Sequence, residues 1–271
     1  MRELKSYPNG LREKTYTGTQ YGRLAFLFPG QGSLRLEVYQ KLVSQDSVFR
    51  TVFDEADQLA SQLGLGSLST LAFQKDIDFV ASKDPQRALR FNLFLFSIEV
   101  ALFRRLLKSG ITPHVVTAHS FGEYAALHCL GVVDFKTMFE IVLEREKCSP
   151  PVEDVGGLLG VSANWDQIRL LGLSIPFYLA NINSVDQIVL AVKRENMKGL
   201  QKKLRLSRIA CKELQGIGRP YHCELMSETS HKMWNKLSQM SFQLGAIAYD
   251  FVSSVDGQKY SKEYTFTKES F

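Results

Sequence analysis

The sequence predicts an α/β fold with a mostly parallel sheet and a smaller α+β insertion. Three observations predict it. Short apolar or β-branched runs alternate with longer stretches whose apolar residues recur three and four apart, the pattern of strands joined by crossover helices. The first run, Leu24-Ala-Phe-Leu-Phe28, is apolar throughout, as in a strand covered on both faces. Between Ser149-Pro-Pro151 and Gly216 the rhythm changes to four brief strand-like runs and two helical pieces, the mark of a compact α+β unit.

Taken in order, residues 1–22 read as a loose leader: Met1 to Gln20 is polar, mixed in charge and without the apolar core of a signal peptide. The strand at 24–28 stops at the turn Pro29-Gly-Gln-Gly-Ser33. Residues 35–62 have helical spacing, with Val38, Leu42, Val48, Val52 and Phe53 facing inward. Residues 88–109 form the next helix, stopped by Gly110. Its apolar stretch from Phe91 to Leu107 is broken by Asn92, Ser97, Glu99, Arg104 and Arg105, which makes it a buried helix and not a membrane span. Phe91, Phe94 and Phe96 belong to the core. A strand ends at Thr117, a helix begins after Ser120, and another covers 134–147, capped by Asp134, with Phe135, Met138, Phe139 and Val142 inward. Within 152–217, strands are predicted at 157–162, 177–180, 187–192 and 209–211, and helices near 165–171 and 195–204. The chain returns through 216–222 to a helix near 226–240 and a strand within 246–255.

Hydrophobic residues make up 45% of the 271 and charged residues 23%, which excludes a disordered or low-complexity chain. A net charge of +5 over this length does not argue for nucleic acid. Cys129, Cys148, Cys211 and Cys223 form no CxxC pair and no Cys/His cluster with zinc spacing, so no metal is expected and reduced thiols in the cytoplasm are. Cys223 reads as a small packed thiol, and Lys202 to Arg208 as the solvated face of a helix.

Ser120 carries the chemistry. It sits between a short β-branched run and a helix, with Ala118 and Gly122 two positions to either side. A strand-to-helix turn this sharp tolerates only small neighbours and lifts the serine oxygen to a helix N-terminus, where free N–H groups stabilise a developing negative charge. The layout resembles the nucleophile elbow of serine acyl-transfer enzymes, with the N–H of Phe121 as one oxyanion donor.

Phe28-Pro-Gly-Gln-Gly-Ser33, Ala118-His-Ser-Phe-Gly-Glu-Tyr124, Arg145, Asn181-Ile-Asn-Ser-Val-Asp-Gln187, Pro220-Tyr-His-Cys-Glu-Leu-Met226 and Phe251-Val-Ser-Ser-Val-Asp-Gly257 follow one another in order. Together they resemble the malonyl-CoA:acyl carrier protein transacylase family, which includes the acyltransferase domains of polyketide and fatty acid synthases. The resemblance runs from about residue 24 to about 257. It implies a large α/β-hydrolase-like domain with a parallel sheet, 23–151 and 218–271, and an inserted ferredoxin-like α+β subdomain, 152–217.

The resemblance also implies roles. Ser120 attacks a thioester and holds the acyl group as an ester, and His222, 102 residues downstream, is its base. The N–H of Gln31 is the second oxyanion donor. Arg145, 25 residues after Ser120, grips the free carboxylate of a malonyl-type group with its planar fork. His119, Tyr221 and Asn183 border the substrate, with His119 supporting the elbow and Tyr221 selecting the acyl branch. Ser253 and Ser254 are the groups that could orient the base. No cofactor is implied; a coenzyme A thioester is the substrate and an acyl carrier protein the partner, with neither nucleic acid nor membrane. The basic run from Lys202 has a second reading as a docking face for that carrier or for coenzyme A phosphates.

The sequence departs from the family pattern at Ala118, where glycine is usual, at Leu34, where glutamine is usual, and after Phe271, where relatives continue; the large domain is therefore expected to lack an edge element and to expose apolar surface. Two other functions share this fold: an acyl hydrolase that releases acyl groups from carrier proteins, and a docking remnant without catalysis.

Overall fold

The computed structural model describes residues 5–6, 12–13, 22–33, 36–73, 85–151, 155–214 and 218–269. Most of the predicted leader, Leu34 and the Val38 side chain lie outside the described residues. In chain order the elements are β1 (Lys5–Ser6), β2 (Arg12–Glu13), β3 (Ala25–Phe28), α1 (Leu36–Gln45), α2 (Ser47–Gln62), α3 (Pro85–Lys108), β4 (Val115–Ala118), α4 (Gly122–Cys129), α5 (Phe135–Cys148), β5 (Gly157–Val161), α6 (Trp165–Leu170), β6 (Tyr178–Ser184), β7 (Gln187–Val192), α7 (Arg194–Leu206), β8 (Cys211–Glu213), α8 (Ser227–Gln239), β9 (Asp250–Val252) and β10 (Lys259–Tyr260). Strands and helices combine in an α/β fold with a mixed sheet.

The sheet that carries the elbow has the order β10-β9-β4-β3, with β3, β4 and β9 parallel and β10 antiparallel at one edge. The predicted burial of 24–28 on both faces is not met. β3 is the other edge of this sheet and Leu27 is 62% exposed, so only Phe28 is buried. At the opposite edge the chain after β9 turns back as β10, Ala246 bridges Thr265, and Phe266 is buried in the main core. β10 supplies an edge element there, while Val255, 83% exposed, and Tyr264, 40% exposed, leave apolar surface at this edge as Leu27 does at β3.

α3 runs through the middle of the main core and packs against α2, α4 and α5. Leu93, Phe94, Phe96, Ile98, Val100 and Ala101 are fully buried, which explains its continuous apolar stretch. The single helix predicted over 35–62 is two. The carboxylate of Asp46 accepts from Val48 N–H at 2.8 Å and Phe49 N–H at 3.3 Å, capping α2 and breaking the run. Asp134 caps α5 in the same way, accepting from Thr137 N–H at 2.8 Å, and the four inward residues predicted there are buried.

The second sheet is antiparallel, order β6-β7-β5-β8, and its elements follow one another as β-α-β-β-α-β. Alternation along its strands gives it two different faces. Leu159, Val161, Ile188, Leu190 and Val192 meet Ile168, Met197, Leu200 and Leu204 of the two helices. Leu158, Val189 and Ala191 point the other way and pack with Leu214 and Cys223. The residue next to His222 thus rests on the back of this sheet. Among the described residues, no helix is long and apolar enough to cross a membrane.

Candidate active site

β4 delivers the chain to Ser120, which takes φ 53°, a left-handed conformation that costs a residue with a Cβ roughly 1–3 kcal/mol. Ala118 is buried in β4 and does not prevent this, so alanine in place of the usual glycine leaves the elbow intact. Gly122 opens α4 immediately afterwards, and its α-carbon presses on the end of β3. A Cβ there would lie 2.2 Å from the Phe28 carbonyl oxygen. On the neighbouring turn, Gly30 has φ 70°, and a Cβ would sit 2.7 Å from Gly122 N and 2.8 Å from His119 O. Two glycines therefore allow the turn after β3 and the elbow after β4 to lie backbone against backbone. Among the described residues, the N–H groups of Phe121 and Gln31 have no acceptor. His119 holds the elbow through its backbone: its N–H donates to Phe28 O at 2.8 Å and its carbonyl accepts from Gly122 N–H at 3.0 Å.

Ser120 Oγ lies 2.7 Å from His222 Nε2. His222 is also left-handed, φ 61°, so both members of the pair are held in conformations that an isolated chain avoids. The residue is exposed. Partial burial, then the positive charge of Arg145 and the nearby His119, hold its pKa below the ordinary histidine value. A neutral imidazole follows at neutral pH, with Nε2 free to accept the serine proton. No described residue hydrogen-bonds to its Nδ1. Ser253 and Ser254, the groups that could have oriented the ring, bond to Glu123 instead: Glu123 Oε1 accepts from Ser254 N–H at 3.0 Å, Ser254 Oγ at 2.9 Å and Ser253 Oγ at 3.5 Å.

Arg145 projects from α5 beneath this pair. Its guanidinium lies 4.6 Å from the ring centre of Tyr221, 5.4 Å from that of Phe121 and 5.9 Å from that of Tyr124. It bonds Glu146 Oε1, and Glu146 Oε2 pairs with Arg219 Nη1 at 2.9 Å. Arg219 also donates to Tyr221 Oη at 2.9 Å and to Pro150 O at 2.7 Å. Burial works against the Arg145 cation, but Tyr221, Glu146 and Tyr124 around it more than restore it, and it stays charged. Two guanidinium groups share one carboxylate, so the cluster keeps one net positive charge while its side chains are only 12%, 2% and 5% exposed.

The structure thus brings together Ser120, His222, Phe121, His119, Arg145 and Tyr221, with the Gln31 turn beside them. Asn183 is exposed in the outer half of β6 and makes no described contact with this group. Glu146 and Arg219 were missed by the sequence reading. Glu146 is masked by the ordinary charge run Leu143-Glu-Arg-Glu-Lys147, and Arg219 lies in a loop without periodicity. Asn92 and Glu99 did leave a signal, as polar residues in an apolar helix. Asn92 Oδ1 accepts from Gln31 Nε2 at 2.6 Å and Glu99 Oε1 from Gly30 N–H at 2.8 Å. Among the described residues no group of three His, Cys, Asp or Glu could hold a metal ion.

The family model described as an acyl transferase domain matches residues 25–269. The chain is 29% identical over 226 residues to a malonyl CoA-acyl carrier protein transacylase of Bacillus subtilis, covering 78% of this chain and 66% of that protein. It is 27% identical over 256 residues to a non-reducing polyketide synthase of Penicillium aethiopicum, covering 92% of this chain but 13% of the synthase. The chain therefore spans less than the full length of the curated relatives it matches, and only a small part of the synthases. Among solved structures, the acyltransferase domain from the second module of the salinomycin polyketide synthase superposes with a TM-score of 0.77 at 25% identity, covering 93% of this chain and 57% of that one. A type II PKS acyl-carrier protein in complex with its malonyl-transacylase provides a further match, with a TM-score of 0.73 at 26% identity, covering 89% of this chain and 77% of that one.

Proposed function

The chain belongs to the acyl transferase domain family, and from that premise we propose that it moves a malonyl-type acyl group from coenzyme A to the phosphopantetheine thiol of an acyl carrier protein, through an acyl-Ser120 ester. The reading includes a trans-acting, cytoplasmic enzyme of polyketide or fatty acid synthesis. It also includes an α/β-hydrolase-like domain, 23–151 and 218–271, interrupted by a ferredoxin-like insertion, 152–217. The β-α-β-β-α-β connectivity of the second sheet supports that last assignment.

The 2.7 Å contact between Ser120 Oγ and His222 Nε2 carries the proposal. Neutral His222 takes the serine proton as Oγ attacks the thioester carbonyl. The oxyanion forms against the N–H groups of Phe121 and Gln31, and the loss of one such donor costs about 2.7–4 kcal/mol of barrier. The tetrahedral species collapses, the C–S bond breaks, and the imidazolium returns its proton to the departing thiolate. In the second half, His222 takes the proton of the phosphopantetheine thiol, sulfur attacks the ester, and the proton goes back to Ser120. The net positive charge left on Arg145, Glu146 and Arg219 supports a carboxylate-bearing acyl group. The exposed Lys198, Lys202 and Arg205 on α7 support docking of an acidic carrier.

Intact-protein mass after mixing with malonyl-CoA tests this. One malonyl adduct on the native protein, none on Ser120→Ala, and transfer of the adduct to a holo carrier protein are the expected results. An adduct that survives in Ser120→Ala would overturn the reading. Rapid release of simple acyl groups to water, without malonyl transfer, would establish the hydrolase instead.

A further inference from the structure

Three buried side-chain atoms lack a hydrogen-bond partner among the described residues: Arg90 Nε, Asn92 Nδ2 and Glu99 Oε2. Two of the three belong to the pair on α3 that holds the turn after β3. Asn92 and Glu99 are 1% and 4% exposed in a core of leucine and phenylalanine. A half-satisfied carboxyl group in such surroundings is less stable than a hydrocarbon of the same shape. Packing therefore does not account for Glu99; what it holds does. Its Oε1 receives the N–H of Gly30, and Asn92 receives the side chain of Gln31. The same turn is stopped on its other side by the elbow, where Gly30 meets Gly122 N and His119 O. It is fixed from below by α3 and from the side by the residues flanking Ser120.

We propose that Glu99 is a positioning residue which, with Asn92, sets the place of the Gly30–Gln31 turn over Ser120 and so aims the Gln31 N–H at the oxyanion. This rests on the acyl-serine reading given above. Burial raises the Glu99 pKa to about 7, and both the carboxylate and the carboxylic acid can accept from an N–H. The anchor depends on the oxygen and not on the charge, so glutamine is its conservative replacement.

The test is single-turnover acylation of the intact chain by malonyl-CoA and, separately, by p-nitrophenyl acetate, with thermal melts alongside. Glu99→Leu is expected to lose about 10–100-fold in the acylation rate at saturation, since a misplacement near 1 Å costs on the order of 10²-fold. Its half-saturating concentration should stay within about twofold, because transition-state interactions alone are removed. Glu99→Gln should recover to within about threefold of the native rate. Gln31→Met keeps the backbone donor and removes only the bond to Asn92, and it should slow the same step. A folded Glu99→Leu with the native rate, or a Glu99→Gln as slow as Glu99→Leu, overturns the proposal. If Glu99→Leu does not fold, a native rate in Gln31→Met overturns it. Failure of the native protein to label with either reagent overturns the acyl-serine reading and this proposal with it, whereas normal native labelling beside an unimpaired Glu99→Leu overturns this proposal alone.

Discussion

Replacing Gly122 with alanine adds one methyl group where the two halves of the site touch. The new carbon would lie 2.2 Å from the Phe28 carbonyl oxygen, 2.7 Å from its carbon and 3.0 Å from Gly30 N. Ordinary contacts begin near 3.4 Å, so β3 and the elbow have to separate by about 1 Å, and neither neighbour is a flexible side-chain end. Overpacking of this kind costs roughly 1–3 kcal/mol, against which alanine returns about 1 kcal/mol of helix propensity. The net loss of stability is modest. The kinetic loss is larger, because the same separation draws the Gln31 turn away from Ser120, and a 1 Å misplacement costs on the order of 10²-fold in rate. Gly199→Ala on α7 is the matched control: only the mobile tip of Ile175 lies near the added carbon, at 3.1 Å, so that variant should hold or gain stability and keep its rate. Thermal melts and stopped-flow acylation of both variants check this. A Gly122→Ala protein that melts and acylates like the native one would refute the argument that these two backbones are in registered contact.

The depressed pKa of His222 places the acid limb of the acylation rate below the ordinary histidine value near 6.5, so activity should be retained at mildly acidic pH and lost as pH falls through the folded-state value; a pH–rate profile of acylation measures it. The same sign applies to stability: the contribution from neutral His222 and His128, whose pKa burial also lowers, is present above the unfolded-state value and lost as pH falls, which melts across that range would show. Arg145→Ala should lower kcat/KM for malonyl-CoA by roughly 10–100-fold, the worth of a charge-assisted hydrogen bond, with little change for acetyl-CoA. Glu146→Leu leaves Arg145 and Arg219 buried without their shared anion and should destabilise by about 3–5 kcal/mol, visible in a chemical denaturation curve.

Much of this was written in the sequence because local chemistry determined it. Asp134 followed by apolar residues at helical spacing gave α5 to within a residue, and the four short runs between 157 and 211 gave the second sheet, the last of them overlapping β8 only at Cys211. Ser120 and His222, 102 residues apart, could be paired only through the resemblance of their two motifs to the family. What stayed hidden was set by tertiary position. Leu27 looks as buried as Phe26 in the sequence, and only its place on an edge strand exposes it. The break at Asp46 lies inside one continuous helical pattern, where a capping carboxylate overrides periodicity. Glu146 gives no sign of being the hub between two arginines, because its partner Arg219 comes from a distant loop. β10 is two residues long and defined by its pairing with β9, which no local pattern announces.

The two neighbours of the base are held by different parts of the molecule: Tyr221 by Arg219, which pairs with Glu146 of α5, and Cys223 by the back of the antiparallel sheet. Ser120 is carried by β4 and α4 in the main core, while the residue after His222 is seated on the back of the antiparallel sheet, against Leu158, Val189 and Ala191. Proton transfer works over a span far shorter than any side chain, so a tilt of one core on the other by a fraction of an ångström is felt first at that contact.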